Sequence, residues 1–443
     1  MRSVGLVPET SPRRLAWILF AVALTLRVGA VFVVQHYLDE IAHRKYVIEG
    51  DADGYWQLAH HIVKGEPYQI YTPPRAVLRM PGFPLLLAGS IWAFGDSLFA
   101  ARLVLATIGA LGCVGVYWLG YRLVSPRVGL IAGSLAAVSP IFVGFSAIEL
   151  TETAFAVAMV FGLIPMVESR TLTPSPSPGR GEQARAIVAG LVAGVLAGVG
   201  VYLRPSWLLF PPLLAAWLYL FPTAHCPLPT APSPPSRRLL MALALIAGLF
   251  ASLLPWALRN QRVTGHFVLT TLWMGPSLYD GWNPEANGDS NMIFFDRENV
   301  LSSMSEYEMD RHYRARAWQF AGENPGRVIE LAWIKTLRYW NPLPNAEQFR
   351  QSAALKLVSL AWYLVVFIPA LIGTWKCRKN LGLLAICGGP IIYFAALHLC
   401  FVSSVRYRLP GEYSLLILSA VGWQVIVPAL RSQSAGLATE CRA

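Results

Sequence analysis

The sequence predicts an all-α polytopic membrane protein, a bundle of about ten transmembrane helices carrying two long external loops. Three observations predict it. Of 443 residues, 55% are hydrophobic and 14% charged, against about 25% charged in a soluble chain. Apolar runs approaching the roughly 20 residues needed to cross a bilayer recur along the chain. The basic residues cluster in short segments between these runs. The formal charge of +11 therefore reads as membrane topology rather than as nucleic-acid binding.

The first run is Leu15 to Val34, behind Arg13 and Arg14, which places its start on the cytoplasmic side. It contains Arg27 and lacks a small-residue cleavage site, so it reads as an uncleaved helix rather than a signal peptide. The others are Leu98 to Leu123, Val128 to Ser146, Thr153 to Val167, Ala186 to Leu203, Trp207 to Phe221, Leu239 to Leu258, Ala353 to Trp375, Leu381 to Phe401 and Tyr413 to Leu430. Pro81 to Phe94 is apolar but short and opens with two prolines, which suits a helix lying on or dipping into the membrane. It is left out of the count.

Alternation from a cytoplasmic start puts 121–127, 168–185, 222–238 and 375–380 on one side, and all four are basic. The chain then divides into a cytoplasmic N-terminus (1–14), a first span (15–35), a first external loop (36–97) and a helical stretch (98–258) with cytoplasmic linkers at 168–185 and 222–238. A second external loop (259–352), C-terminal spans (353–430) and a cytoplasmic tail (431–443) follow. The linkers are rich in Pro and Ser and read as spacers. Within the second loop, Ser305 to Phe320 has a helical pattern, NPG at 324–326 breaks it, and Arg327 to Tyr339 reads as an amphipathic helix along the membrane surface.

This topology brings Asp51, Asp53, Glu149, Glu152, Arg204, Arg259, Arg406 and Arg408 to one aqueous face. Arginines there run against the positive-inside bias, and each lies beside a span end at the height of a lipid phosphate, which its planar fork pairs with in a bidentate way. Every one also has an ordinary alternative. The aspartates could be loop acids or caps of a helix over Tyr55 to Val63, the glutamates could serve a helix dipole, and the arginines could snorkel to headgroups. The joint placement is what points to a site. His60 and His61 fall on adjacent helix faces with no partner at ligand spacing, and the six cysteines lack CxxC spacing. Neither a zinc site nor a structural disulfide is expected.

In order along the chain stand DADGYWQLA (51–59), LRMPGFPLLLAG (78–89), ARLVLATIGALGCVGVYWLGYRL (101–123), ELTET (149–153), YLRP (202–205), PWALRNQRVTGHFV (255–268), GPSLYDGWNP (275–284), ENPGRVIELAWIKTLRYWNP (323–342) and RYRLP (406–410). Through these segments the sequence resembles the polytopic GT-C glycosyltransferases, in particular bacterial relatives of dolichyl-phosphate-mannose protein mannosyltransferases and of the lipid A aminoarabinose transferase.

The resemblance implies a GT-C type bundle in a bacterial cytoplasmic membrane with its active site facing the periplasm or exterior. It implies a sugar donor on a polyprenyl phosphate and a lipid, polysaccharide or protein acceptor. In that family the catalytic aspartate stands four residues before a tyrosine and eight before an alanine. Asp51 with Tyr55 and Ala59 has that spacing and Asp53 does not. Ala52 stands where many relatives carry a second acid, and the pair Asp39-Glu40 lacks the tyrosine.

The chemistry is coherent with these residues. Phosphate is a good leaving group, so one carboxylate to take the acceptor proton and cations to hold the phosphate suffice, with inversion at the anomeric carbon. Asp51 is the expected base. Arg204, Arg259, Arg406 and Arg408 are the phosphate candidates, while Asp53, Tyr55, Glu149, Glu152 and Tyr279 are expected in the substrate site. No cofactor is required; a divalent cation, Mg or Mn, would fall to Asp51, Asp53 and Glu152. Two other readings stand beside this one: an oligosaccharide ligase or polymerase using a polyprenyl pyrophosphate, and a secondary transporter, which would instead carry its charges at mid-membrane.

Overall fold

The computed structural model describes residues 11–171, 180–221, 235–345 and 352–440. Most of the two linkers, at 172–179 and 222–234, lies outside them, as do parts of both termini. Helices come in the order α1 (Pro12–His36), α2 (Asp51–Lys64), α3 (Gly82–Phe94), α4 (Leu98–Leu123), α5 (Pro126–Val138), α6 (Pro140–Phe145), α7 (Thr151–Thr171), α8 (Arg180–Leu203), α9 (Phe210–Leu220) and α10 (Pro235–Thr264). The outer segments follow: α11 (Met274–Gly281), α12 (Ile293–Arg297), α13 (Val300–Ser303), α14 (Glu306–Glu323) and α15 (Pro325–Tyr339). Then come α16 (Ala353–Lys376), α17 (Leu381–Cys387), α18 (Gly389–Leu397) and α19 (Val405–Glu440).

Six described helices are long and apolar enough to cross a membrane, and four shorter apolar ones, including α3, accompany them. The chain is a multi-pass membrane protein. Three boundaries differ from the sequence expectation. The run 128–146 breaks at Ser139, whose hydroxyl accepts the Phe142 N–H and starts a new helix at Pro140. The run Leu381 to Phe401 is two short helices that meet at Gly388. The last helix begins at Val405, eight residues before the expected Tyr413. Arg406 and Arg408 therefore lie in its first turn and not in a connecting turn.

Helix packing in the bundle uses small residues. Gly190, Gly194 and Gly198 recur every fourth residue on α8, and a Cβ on Gly194 would collide with the carbonyl of Leu245 on α10. That spacing lets two backbones meet where lipid offers no hydrophobic drive for association.

The second loop has a core of its own. Leu278, Tyr279, Trp282, Phe294, Phe295, Met309, Tyr313 and Leu331 bury one another. A capping box starts α14, with Ser305 and Glu308 satisfying each other's backbone N–H. Asn324 and Pro325 then turn the chain into α15, as the NPG signal predicts. Ile329, Trp333 and Leu337 form an exposed apolar stripe on α15.

Lys335, fully buried on the opposite side of α15, joins this outer unit to the bundle. Its ammonium donates to the carbonyls of Gly281 at 2.9 Å, Leu399 at 3.1 Å and Cys400 at 2.9 Å. Burial pushes its pKa down to about 8, which leaves it mostly charged at neutral pH with its three donors matched by three acceptors. Replacing Lys335 with Met orphans three buried carbonyls, at about 1 kcal/mol or more each. The expected outcome is a clearly lowered unfolding midpoint for Lys335→Met in detergent, followed by tryptophan fluorescence. A midpoint equal to that of wild type would show that these carbonyls find other partners.

Candidate active site

Gly50 opens α2 with φ +58, a conformation that favours glycine, and Gly65 closes it with φ +69. Asp51 is the first residue of the helix, so it lies in the first turn and does not cap it. There the N-terminal peptide dipoles favour its carboxylate. One oxygen accepts from Arg79 Nη1 at 3.1 Å and the other from Arg406 Nη2 at 2.9 Å. Arg406 also binds Glu152 through Nε, and Arg204 Nη1 lies 3.6 Å from the same Glu152 oxygen. Enclosure pushes the Asp51 carboxyl up, but Arg406 and Arg79 push it down harder, to about 2.

Arg79 was not among the sequence candidates, although it shared their signal, an arginine beside an apolar helix on the side expected to be external. It sits in a strap, 68–80, held at several points. Arg259 donates to the carbonyls of Tyr68 at 3.0 Å and Ala76 at 2.6 Å. Glu306 accepts the N–H groups of Ala76 and Val77, each at 2.9 Å, and Arg75 donates to the carbonyls of Leu301 and Met304. The two long loops are thus bonded to each other. Gly54 leaves room for the Arg79 guanidinium across α2, since a Cβ there would stand 3.2 Å from Arg79 Nε. The guanidinium also stacks over Tyr55 at 4.5 Å.

A cavity of about 680 Å³ opens at this cluster. Asp51, Tyr55, Arg79, Arg204 and Tyr407 line it, with Arg406 and Glu152 directly behind. Another part of its lining is apolar, from Leu203, Leu208, Leu209, Leu397, Phe401 and Val402. Tyr407 lies under both Arg204 and Arg406 and stacks on His398 with ring centres 4.3 Å apart. Both rings escaped sequence reasoning. Tyr407 stood unremarked inside RYRLP, and His398 was hidden in an expected span that is in fact broken. Arg79 Nε is buried with no hydrogen-bond acceptor among the described residues, whereas Arg204 Nη1 has the Glu152 oxygen at 3.6 Å.

Other expected site residues lie elsewhere. Asp53 accepts from Gln57 one turn on, outside the cavity lining. Glu149 is fully buried against Arg102, Oε1 to Nε 2.6 Å, and burial pushes it up to about 7 against the pull of that arginine. Arg259 spends its donors on the strap. Arg408 is buried with Glu412 at 2.5 Å and donates to the carbonyls of Tyr339 and Asn341. Tyr279 packs in the outer core, and its hydroxyl accepts from Arg316 at 2.7 Å. Trp273 also lines the cavity.

The acids do not form a cation site as they stand. Both Asp51 oxygens are taken by arginines, Asp53 is elsewhere, and Glu152 shares one oxygen with two guanidiniums. No group of three His, Cys, Asp or Glu side chains gathers among the described residues.

With this geometry in hand, comparison with solved structures defines the fold as the GT-C type, a class of polytopic membrane protein. The chain is similar to the archaeal oligosaccharyltransferase AglB from Archaeoglobus fulgidus. In complex with an inhibitory peptide and a dolichol-phosphate, that protein matches with a TM-score of 0.57 at 14% identity, over 96% of this chain and 51% of that one. Its apo form gives 0.57 at 15% identity, over 97% and 52%. This chain thus spans about half the length of that oligosaccharyltransferase. ArnT from Cupriavidus metallidurans in the apo state matches more weakly, with a TM-score of 0.43 at 14% identity over 91% of this chain and 76% of that one. No protein-family model matches the sequence, and no curated protein matches it.

The buried Arg102–Glu149 pair makes a separate prediction about stability. Removing one partner leaves an uncompensated buried charge, at about 3–5 kcal/mol, whereas an apolar pair of similar volume is often close to neutral. Arg102→Met should lower the unfolding midpoint strongly, and Arg102→Met with Glu149→Leu should recover part of the loss, because Gln35 and the Lys45 carbonyl, which also accept from Arg102, stay unpaired. A double variant no more stable than the single one would count against this account.

Proposed function

We propose that this protein is a membrane glycosyltransferase. It moves a single sugar from a polyprenyl-phosphate donor to a hydroxyl or amine acceptor on the external face. One observation carries the reading: the Asp51 carboxylate meets Arg79 and Arg204 on the wall of a cavity whose remaining lining is partly apolar. The planar guanidinium pairs with phosphate oxygens in a bidentate way, so two arginines on one wall suit a phosphate. The apolar lining suits the first isoprene units of a lipid. That AglB has been solved with a dolichol-phosphate is in keeping with this chemistry.

Charge favours the monophosphate donor over a pyrophosphate. Arg79, Arg204 and Arg406 against Asp51 and Glu152 leave one positive charge at rest. A sugar phosphodiester carries one negative charge and neutralises it, whereas a pyrophosphate diester carries two. When transfer occurs, the C1–O bond to phosphate breaks, its electron pair leaves with the phosphate, and the new charge grows beside the guanidiniums. The acceptor oxygen or nitrogen forms the new bond to C1 on the opposite face, and Asp51 takes its proton.

A carboxyl held at about 2 is a weak base at neutral pH, because an effective base has its pKa near the working pH. Donor binding resolves this. A phosphate competing for Arg79 and Arg406 weakens the two contacts that hold Asp51 down, while enclosure continues to push it up. The donor thereby activates its own base.

The first test is binding of a polyprenyl-phosphate hexose and of a polyprenyl-pyrophosphate glycan to the detergent-purified protein and to Asp51→Asn. Saturable binding of the monophosphate by both, with transfer reduced about 100-fold to 10,000-fold only in the variant, is the expected result. A variant as active as wild type would remove Asp51 as base, and binding of neither lipid would overturn the reading.

A second prediction concerns pH. Resting Asp51 has its pKa depressed from 3.8 to about 2, so this interaction stabilises the fold above the ordinary carboxyl range and is lost as pH falls toward 2. Arg79→Gln removes one of the two opposing cations. The acid limb of the kcat/KM profile should move to higher pH in that variant, and an unmoved limb would separate Arg79 from the ionisation of Asp51.

A further inference from the structure

The cavity has a second pole. Asp280, nine-tenths buried near the C-terminal end of α11, lines it together with Ser277, Ser290, Thr270 and Thr271. None of these faces was needed for the phosphate chemistry, and Asp280 lies inside the GPSLYDGWNP segment whose tyrosine was the expected contact. The Asp280 carboxylate is fixed by the fold. Oδ2 accepts from the Ser290 hydroxyl at 2.7 Å and Oδ1 from the Asn291 N–H at 2.8 Å.

Its surroundings are poor for an anion. The C-terminal end of a helix disfavours negative charge, and no arginine or lysine stands at ion-pair distance from Asp280 among the described residues; the Lys335 ammonium, spent on three carbonyls, offsets the burial only in part. Burial accordingly pushes its pKa up. A carboxylate has about four acceptor positions, and here two are filled by the protein. The groups that complete such a site are O–H donors without negative charge. Phosphate is excluded by repulsion at this pole and attracted by the arginines at the other. The Ser and Thr hydroxyls alongside can both donate and accept, which suits a polyol.

We infer that Asp280, oriented by Ser290, is the sugar-recognition residue of the site: it binds two hydroxyls of the transferred monosaccharide while the arginine pole holds the phosphate. This rests on the glycosyltransferase reading above and deepens it. Asp280 touches substrate without taking part in bond making. It fixes the ring so that the bond to phosphate points at the arginine pole.

Lysine in the neighbourhood supports the assignment structurally. Lys335 holds the carbonyl of Gly281, the residue after Asp280, to those of Leu399 and Cys400, so the recognition wall is tied to the turn that carries His398 and Phe401 of the same cavity.

The test compares two probes, undecaprenyl phosphate and undecaprenyl-phosphate hexose, binding to the full-length protein in detergent. Wild type should bind the sugar-bearing lipid more tightly than the bare phosphate lipid. Asp280→Ala should weaken the sugar-bearing lipid by about tenfold or more, as loss of charged hydrogen bonds does, and leave the bare lipid unchanged. Ser290→Ala, a milder change that frees the carboxylate to rotate, should lose part of the same difference while unfolding at the wild-type temperature. If both variants keep the full preference for the sugar-bearing lipid, Asp280 is not the recognition residue and the phosphate reading stands untouched. Equal loss for both lipids in a folded Ser290→Ala would also overturn the assignment. Binding of neither lipid by wild type would overturn the glycosyltransferase reading and this one with it.

Discussion

Arg406 is shared by two carboxylates that reach it from 355 and 254 positions away in the chain. Asp51 comes from the first loop and Glu152 from the first turn of α7, and without a common cation they would confront each other as like charges in a poorly hydrated place. The guanidinium suits this position because its fork can serve two carboxylates on different edges at once. Lysine, with a single compact charge, could not hold both in defined directions. The first loop, α7 and the last helix are therefore referenced to one another at the point where the cavity begins. The same junction explains why α19 must start at Val405: a helix beginning at Tyr413 would leave Arg406 in a flexible turn.

The arginines expected at the external face divide by what their donors do. Arg259 and Arg408 give theirs to backbone carbonyls, and both are structural: one holds the strap 68–80, the other holds the end of α15 against α19. Arg79 and Arg204 pair with the carboxylates Asp51 and Glu152 and line the cavity. Burial and partner count thus separate residues that look equivalent in a list of external arginines. Glu149 and Glu152 divide in the same way. They are three residues apart, yet one is sealed against Arg102 and the other meets the arginines of the site.

Much of the fold was legible because its physical basis is local. Apolar run length located the bundle, and Asn324-Pro325 marked the turn between α14 and α15. The breaks were harder. Ser139-Pro140 and Gly388 interrupt apolar runs without changing their hydropathy, so a span-length criterion passes over them, and His398 went with them. For the site, chain spacing pointed to Asp51 and Tyr55, and position beside span ends pointed to Arg204 and Arg406. Arg79 carried the same positional signal but lay in a motif noticed for its glycine and prolines. Tyr279 and Asp280 show the limit of such reading. They are adjacent, and which of the two faces the cavity is set by the rotation of α11 against α14, fixed through the Gly275 N–H to Asp310 Oδ1 bond at 2.7 Å. No local pattern encodes that rotation.

The connectivity also orders assembly. Asp51 enters in the first loop and Glu152 with α7, but the cation they share arrives with the last helix, and the strap that carries Arg79 is pinned by Glu306 from the second loop. Until both later segments are in place, the first-loop carboxylate lacks the partners that favour its charged form, and the arginines of the cavity have no wall to line. Long-range contacts of this kind reward the chain only after their loops have closed. The site cannot form without the bundle, both loops and the first turn of α19, so a correctly built cavity reports that the whole chain has folded.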